Sequence, residues 1–381
     1  MKYTLPNWLQ FNAVGVILFY CLSLVTGYRY LMYFSLIFSI PTFVRQVIIP
    51  AERNLYFQFI TSVFVLIIIN LLTTLIIYYD VGSRFFEIAI FLINPILGAS
   101  LLISGFSSSA LRKFINFLFG IVIISYFLNI DSGALLSLLS IDTLLNSLTS
   151  SSLDTESGLS FLFALFAIFF FITNQKSKYL LSFFLCLISF KRIAILALIL
   201  SLLLYRFYLS RYQTISKRIS FSSIILINLF FIFITFLISY SIFVDDITMS
   251  VFGIGINQLT MGRSSIYQTV FEYSGGLSLW GIGLGSSERL LAKNFEPDVI
   301  ALLHSDILKS YFEMGLLLFI YWMYNLSKIF SVNAKTLILF VTINIVFFTD
   351  NTLMYNEFML IFYLMIGVIA KEQHELKPFV V

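Results

Sequence analysis

Residues 55–78 read LYFQFITSVFVLIIINLLTTLIIY, a run of 24 residues without Asp, Glu, Lys, Arg or His. A helix of about 20 apolar residues is long enough to cross the hydrocarbon core of a bilayer. Because no charge interrupts this run, it predicts a membrane-spanning helix. Similar runs recur along the chain.

The composition of the whole chain points the same way. Of its 381 residues, 60% are hydrophobic and 11% are charged, whereas a soluble domain has about 25% charged residues. So few charges cannot cover the surface of a soluble protein of this size, and we therefore predict an all-α, polytopic membrane protein. The formal charge of +4 is small and suggests no nucleic-acid partner.

Two features of the apolar runs bear on processing and covalent chemistry. Cys21 and Cys186 both lie inside such runs, so we interpret them as small hydrophobic residues rather than as a disulfide or a metal site. The N-terminal segment has no small-residue cleavage site of the A-x-A kind. We therefore expect a retained first helix and not a removed signal peptide.

About twelve segments are long and apolar enough to be candidate spans. The pair within 179–208 has two interpretations, because its first member is short. It could form a re-entrant hairpin, or one long helix broken at Lys191–Arg192. The candidates lie near 9–27, 30–49, 55–78, 85–105, 112–129, 158–173, 179–190, 192–208, 221–243, 311–328, 333–349 and 353–370.

The charges orient these spans, because Lys and Arg gather on the cytoplasmic side of a membrane. With the N-terminus inside, most of the 23 Lys and Arg residues lie at cytoplasmic ends and most of the 19 Asp and Glu residues lie outside. Both termini are then cytoplasmic. This orientation predicts transmembrane helices 1–9 in residues 1–243, a large outer loop in residues 244–310, and helices 10–12 with a cytoplasmic tail in residues 311–381.

Two of the predicted outer loops are long. Residues 130–157 are rich in Ser and carry acids without a base. Residues 244–310 form the longest non-spanning segment, and loops of this length are usually functional or disordered. Ile266, Val270 and Tyr273 stand in helical register there, so we expect an ordered cap on the membrane surface. No internal repeat is visible, so the inverted-repeat signature of many transporters is missing.

Arg263 and the glycine run Gly281–Ser286 (GIGLGS) are the first candidates in the outer loop. Arg263 stands at the expected start of a helix, where free amides and a guanidinium fork can grip a phosphate. The alternative is a surface arginine beside Glu272 or a lipid head group. The glycine run fits a tight turn that folds back on the membrane, and backbone amides near a ligand are its alternative.

His304, Lys191 and Arg192 complete the set of candidates. His304 precedes the helix that re-enters the membrane, and imidazole can act as acid or base near neutral pH, although a lone histidine is often structural. His374, in the predicted cytoplasmic tail, receives no role. Lys191 and Arg192 lie between two apolar runs at the predicted outer boundary, where a basic pair calls for an anionic partner. The alternative is a snorkelling pair that marks a turn.

Taken together, these residues resemble the O-antigen polymerase and ligase superfamily over about residues 186–319. The chain departs from the family pattern at Ser305, where Asn is frequent, and at Lys191–Arg192, where Ser-Arg is frequent. The resemblance rests on Ser189–Arg192 (SFKR), Gly262–Tyr267 (GRSSIY), Trp280–Ser286 (WGIGLGS), His304–Leu308 (HSDIL) and Glu313–Gly315 (EMG).

The resemblance implies a metal-independent membrane glycosyltransferase, without a cofactor, in the bacterial cytoplasmic membrane. Such a polymerase transfers a glycan from polyprenyl pyrophosphate to another lipid-linked repeat unit at the outer face, in the synthesis of lipopolysaccharide or capsule. The implied partners are the lipid-linked donor and acceptor, and a chain-length regulator. Arg192, Lys191 and Arg263 would hold the pyrophosphate, and His304 would be the catalytic residue.

Two alternatives to a polymerase are kept. A ligase would use the same donor and transfer the glycan to a lipid A core or to a protein. A flippase or transporter for the lipid-linked oligosaccharide would need charges along a path through the bilayer. The middle parts of the predicted spans are nearly uncharged, whereas the candidate residues lie at the outer boundary. This distribution favours chemistry at the surface.

Overall fold

A computed structural model describes residues 7–28, 31–48, 55–78, 85–103, 106–130, 157–189, 191–209, 217–240, 242–260, 262–295, 303–330 and 333–376. Within these ranges the regular structure is helical, without a strand. The predicted all-α fold is therefore confirmed for this part of the chain. The predicted loop at 130–157 lies almost entirely outside the described residues.

The helices of these ranges are numbered here in chain order. A π-helical turn at Tyr205–Leu209 follows α8, and a 3-10 turn at Thr352–Met354 precedes α16. The helices are α1 (Asn7–Thr26), α2 (Leu31–Ile48), α3 (Leu55–Tyr78), α4 (Phe85–Ile103), α5 (Ser108–Asn129), α6 (Leu159–Ile172), α7 (Lys176–Ile188), α8 (Arg192–Leu204), α9 (Lys217–Tyr240), α10 (Ile242–Phe252), α11 (Ile256–Leu259), α12 (Arg263–Tyr273), α13 (Ser286–Asn294), α14 (Asp306–Phe330), α15 (Ala334–Phe347) and α16 (Asn356–Leu376).

Each predicted span overlaps one of these helices. Over the described residues, 4 helices are long and apolar enough to cross a membrane, namely Trp8–Thr26, Gln58–Ile76, Ser108–Asn129 and Ser222–Tyr240. They indicate a membrane protein. The full number of spans, the outer position of the loop and the side of the termini stay predictions.

The candidate spans are apolar on their exposed faces as well as on their buried faces. In α3, Val63 is buried whereas its neighbour Phe64 is 54% exposed, and Phe230 of α9 is 65% exposed. A helix that is apolar all round belongs in surroundings that are themselves apolar. The exposed faces therefore fit contact with lipid acyl chains.

Two pairs of buried asparagines form hydrogen bonds between helices. The amide of Asn228 in α9 donates to Oδ1 of Asn344 in α15 at 3.1 Å, and that of Asn94 in α4 donates to Oδ1 of Asn356 in α16 at 3.0 Å. In a membrane, burial of apolar surface does not drive helices together, because lipid is equally apolar. Such hydrogen bonds between helices, each worth about 0.6 kcal/mol, help to specify which helices pack together.

Helix α6 lies at the centre of the bundle. All of its residues except Leu159 and Phe171 are buried. Both α7 and α8 pack against it. The chain forms two separate helices in the region 179–208, and the break lies at Lys191, whose backbone is extended. This break brings Lys191 to the end of α6 that carries Phe161.

The described part of the segment 244–310 contains α10 to α13, so the expected ordered structure is present there. Helix α12 is present, but of the three predicted positions Val270 is fully buried and Ile266 only partly buried. It packs through Val270 and Phe271, which are fully buried, and the ring of Phe271 lies 5.2 Å from that of Phe236 in α9. Tyr273, the third predicted position, is 58% exposed, so the packed face differs from the predicted one.

Two glycines form a close contact between this segment and α14. Gly315 interrupts α14 with φ 75° and ψ 170°. A Cβ at Gly315 would lie 2.4 Å from the backbone nitrogen of Gly281, and a Cβ at Gly281 would lie 2.1 Å from the carbonyl oxygen of Glu313. The two backbones touch, so neither position has room for a side chain.

Replacement of Gly315 by Ala should destabilise the protein by about 2–4 kcal/mol, because the methyl group must displace backbone atoms and the positive φ is strained. The thermal unfolding midpoint in detergent measures the effect. Gly120→Ala in α5 is the matched control, since nothing lies within 4 Å of its new Cβ, and it should leave the midpoint unchanged or raise it. Equal midpoints for the two variants would contradict this account.

Candidate functional site

Lys191 and Asp350 form an ion pair at the break between α7 and α8. The Nζ atom of Lys191 lies 2.8 Å from Oδ2 of Asp350, and it also lies 4.6 Å from the ring centre of Phe161. The side chains of the pair are only 18% and 10% exposed. Because both charges are shielded from water, removal of one partner leaves the other as a costly uncompensated charge.

The other oxygen of Asp350 is also occupied. Residues 349–353, which we call the polar turn, join α15 to α16 and contain Asp350. Oδ1 of Asp350 accepts a hydrogen bond from the backbone N–H of Asn351 at 2.8 Å and another from the Tyr355 hydroxyl at 3.1 Å. The carboxylate is therefore fixed in orientation, and it fixes the Lys191 ammonium group in turn.

His304 precedes α14 and lies against the same turn. Its φ of 45° falls in the left-handed region, which is uncommon for residues other than glycine. The next residue, Ser305, accepts a hydrogen bond from the N–H of Leu308 at 3.3 Å and donates one to the carbonyl of Phe347 at 3.2 Å. A strained residue held by its neighbours in this way is often a functional one.

The surroundings of His304 favour a neutral imidazole. Burial lowers the pKa of His304 from its ordinary value of 6.5. The positive charges of Arg263 and Lys191 lower this pKa further, and the negative charge of Asp350 acts against them. The ring is therefore neutral at physiological pH and can accept a proton. The backbone N–H of Asp306, two residues further on, donates to the carbonyl of Asp350 at 3.2 Å, and this bond ties the segment that carries His304 to the polar turn.

Arg263 also reaches the polar turn. It is the first residue of α12 and follows Gly262, whose φ is 82°. Its Nη1 lies 3.5 Å from the carbonyl oxygen of Thr349, at the outer limit of a hydrogen bond. Glu272, the partner in the alternative interpretation, accepts a hydrogen bond from Gln268 at 2.9 Å. The geometry favours a place for Arg263 beside Thr349 of the polar turn.

The structure thus brings Lys191, Arg263 and His304 together at the polar turn. Lys191 is placed at the turn by its ion pair with Asp350. Arg192, the first residue of α8, has an exposed side chain. The expectation that Arg192 binds phosphate stays a prediction.

Asp350 is the residue of the site that sequence reasoning misses. The sequence does carry a signal, because TDNT at 349–352 is a short polar turn between the last two apolar runs. The predicted orientation places this turn on the same face as His304 and Lys191. An acid there is a suitable partner for the basic pair that the sequence singles out.

The glycine run Gly281–Ser286 serves as a structural turn. The N–H groups of Ile282 and Gly283 donate to backbone carbonyls of α14 at 2.8 and 3.1 Å, and that of Leu284 donates to Oδ1 of Asn70 in α3 at 2.9 Å. These amides are used within the protein. The contacts favour the tight-turn interpretation of the run over the ligand-binding one.

Neither metal-site geometry nor sequence similarity adds to this description. Among the described residues, no group of three or more His, Cys, Asp and Glu is arranged to hold a metal ion. No family model matches the chain, and no curated protein matches it. The chemistry of the site therefore follows from Lys191, Arg263, His304 and Asp350 themselves.

The His304 titration should respond with opposite signs to its two charged neighbours. In a His374→Gln background, His304 is the single histidine of the chain, so ¹³C-histidine NMR reports its pKa directly. We expect a pKa below 6.5, a further decrease in Asp350→Asn and an increase in Lys191→Met, because these changes remove a negative and a positive charge. Shifts of the same sign in both variants would show that the charges act elsewhere.

The Lys191–Asp350 pair should also contribute to the free energy of unfolding. Lys191→Met and Asp350→Asn should each destabilise the protein, whereas the double variant should lose less than the sum of the two. The expected coupling is about 1–3 kcal/mol for residues in direct contact. Unfolding in mixed micelles measures all four proteins of the cycle. Additive effects would mean that the pair contributes no stability.

Proposed function

We propose that the chain is a glycosyltransferase that polymerises glycan repeat units carried on polyprenyl pyrophosphate at the outer face of the bacterial cytoplasmic membrane. The observation that carries the proposal is the meeting of Lys191, Arg263 and His304 at one polar turn. The apolar helices suit a substrate with a lipid tail. The resemblance of the SFKR, GRSSIY and HSDIL segments to those of the superfamily supports the same reaction.

In the proposed reaction, a hydroxyl group of the acceptor unit attacks the anomeric carbon of the donor glycan. A new carbon–oxygen bond forms while the bond between the anomeric carbon and the pyrophosphate breaks, and polyprenyl pyrophosphate leaves with the bonding electrons. Attack opposite the leaving group inverts the anomeric configuration. His304 takes the proton of the acceptor hydroxyl, for which a neutral imidazole is required.

The cations would act on the leaving group. Negative charge builds up on the pyrophosphate as the bond breaks, and fixed positive groups stabilise that charge best when they are already in place. The Arg263 guanidinium can bind two phosphate oxygens at once, whereas the Lys191 ammonium acts as a point charge. Arg192, exposed beside Lys191, supplies a further positive charge for the same pyrophosphate.

A ligase would use the same donor and the same leaving group, so its site would have the same cations and base. The two activities differ in the acceptor. A flippase would need charges along a path through the bilayer. In the described part of the chain, Lys191, Arg263 and His304 gather instead at a single turn between two helices, which suits a reaction at one place.

The test is complementation of a deletion strain of the bacterium that encodes the chain, with the surface glycan resolved on a gel. The wild-type chain should restore a ladder of polymer lengths, and Arg263→Gln or His304→Asn should collapse it to a single repeat unit on its acceptor. Asn is used because it tolerates a positive φ, so that the loss reports on the imidazole. Lys293→Gln, an exposed position in α13, is the matched control and should keep the ladder.

The same gel separates the alternatives. Loss of all attached glycan, with full-length chains accumulating on the lipid carrier, would identify a ligase. Repeat units trapped on the cytoplasmic side would identify a flippase. A normal ladder from well-expressed Arg263→Gln and His304→Asn proteins would overturn the role of the site.

A further inference from the structure

Asp306 is a buried acid next to the candidate site that the proposed reaction does not use. It is the first residue of α14, two positions after His304, and its exposure is 1%. Its Oδ1 atom is buried and has no hydrogen-bond partner among the described residues. A carboxyl group in such surroundings requires an explanation, because burial of an incompletely bonded polar group is costly.

The contacts of Asp306 all lead to the polar turn. Its Oδ2 atom accepts hydrogen bonds from the backbone N–H of Leu353 at 2.8 Å and from the Thr352 hydroxyl at 3.1 Å. Its own backbone N–H donates to the carbonyl of Asp350 at 3.2 Å. One residue thereby holds the turn at positions 350, 352 and 353, and ties it to the segment that carries His304.

The carboxyl group of Asp306 is largely protonated at neutral pH. Burial raises its pKa to about 8 from an ordinary value of 3.8. The hydrogen bonds from Leu353 and Thr352 and the charge of Lys309 act against this increase, and the charge of Asp350 adds to it. The group therefore works mainly as a neutral hydrogen-bonding side chain and adds little negative charge beside His304.

We propose that Asp306 is a positioning residue, whose hydrogen bonds to Thr352, Leu353 and Asp350 set the place of the His304 imidazole relative to Lys191 and Arg263. The catalytic consequence rests on the proposed function. The placement of the imidazole is independent of the proposed function and can be measured without a substrate.

The test compares two replacements of similar size. Asp306→Asn keeps an oxygen acceptor for Leu353 and Thr352 without a charge, whereas Asp306→Leu keeps the volume and removes the acceptor. Thr352→Val removes one of the two hydrogen bonds to Oδ2 of Asp306, and it replaces Asp306→Leu in the test if that variant does not fold. Ser310→Ala, one turn along α14, is the control, because the hydroxyl of buried Ser310 has no hydrogen-bond partner among the described residues.

The first measurement is the His304 pKa, from ¹³C-histidine NMR in the His374→Gln background. We expect Asp306→Asn and Ser310→Ala to match the parent protein. Asp306→Leu and Thr352→Val should move the His304 pKa upward toward 6.5, because the released segment exposes the ring to water and carries it away from Arg263 and Lys191, and these effects together outweigh the loss of the Asp350 charge. The second measurement is glycan transfer, which should fall by about 100-fold in Asp306→Leu, as expected for a misplacement of about 1 Å, and should be rescued by Asn.

Two results would overturn the proposal. If Asp306→Asn changes the His304 pKa and glycan transfer as strongly as Asp306→Leu does, the charge of Asp306 is needed and its hydrogen bonds alone do not position the ring. If Asp306→Leu is folded and leaves the His304 pKa unchanged, Asp306 does not position the ring. If the parent protein transfers no glycan but the pKa values follow the expected pattern, the positioning role stands and the proposed function fails.

Discussion

A carboxylate and an ammonium group that are shielded from water are stable only when they are paired, because desolvation of either one alone costs several kcal/mol. Lys191 and Asp350 meet this requirement at 2.8 Å. Their pair joins the break between α7 and α8 to the polar turn, and Asp306 joins that turn to the segment that carries His304. Arg263 reaches the same turn through the carbonyl of Thr349. The candidate site is therefore held together by one ion pair and the hydrogen bonds around it.

The segment before α14 is fixed to the helical bundle by contacts outside the candidate site. Asn70 of α3 donates to the carbonyl of Glu313 at 2.9 Å and accepts from the N–H of Leu284, so a single amide joins three parts of the chain. A second link is the ion pair between Lys309 of α14 and Glu288 of α13, with an N–O distance of 2.8 Å. Both links end on α14, the helix that begins at Asp306.

Apolar runs are enough to predict the helices, because a helix satisfies its own backbone hydrogen bonds and an apolar environment demands that it does so. Lys191, Arg263 and His304 are visible in the sequence because each departs from the composition around it. Asp350 also stands out from the apolar runs on either side, but its role depends on a partner far away in the chain, which the sequence does not identify. Nor can sequence decide between Lys191 and Arg192. Successive residues of a helix point about 100° apart, so the side chain that faces the turn depends on where the helix breaks.

The contact between Gly281 and Gly315 has a genetic consequence. A side chain that is too large can usually be accommodated when a neighbouring side chain becomes smaller. Here the obstacle on each side is main chain, and both residues already have the smallest side chain available. A second-site suppressor of a substitution at either glycine therefore cannot arise at the other one. Such a suppressor would have to move a whole segment of main chain, so substitutions at these two glycines should be among the hardest in the protein to compensate.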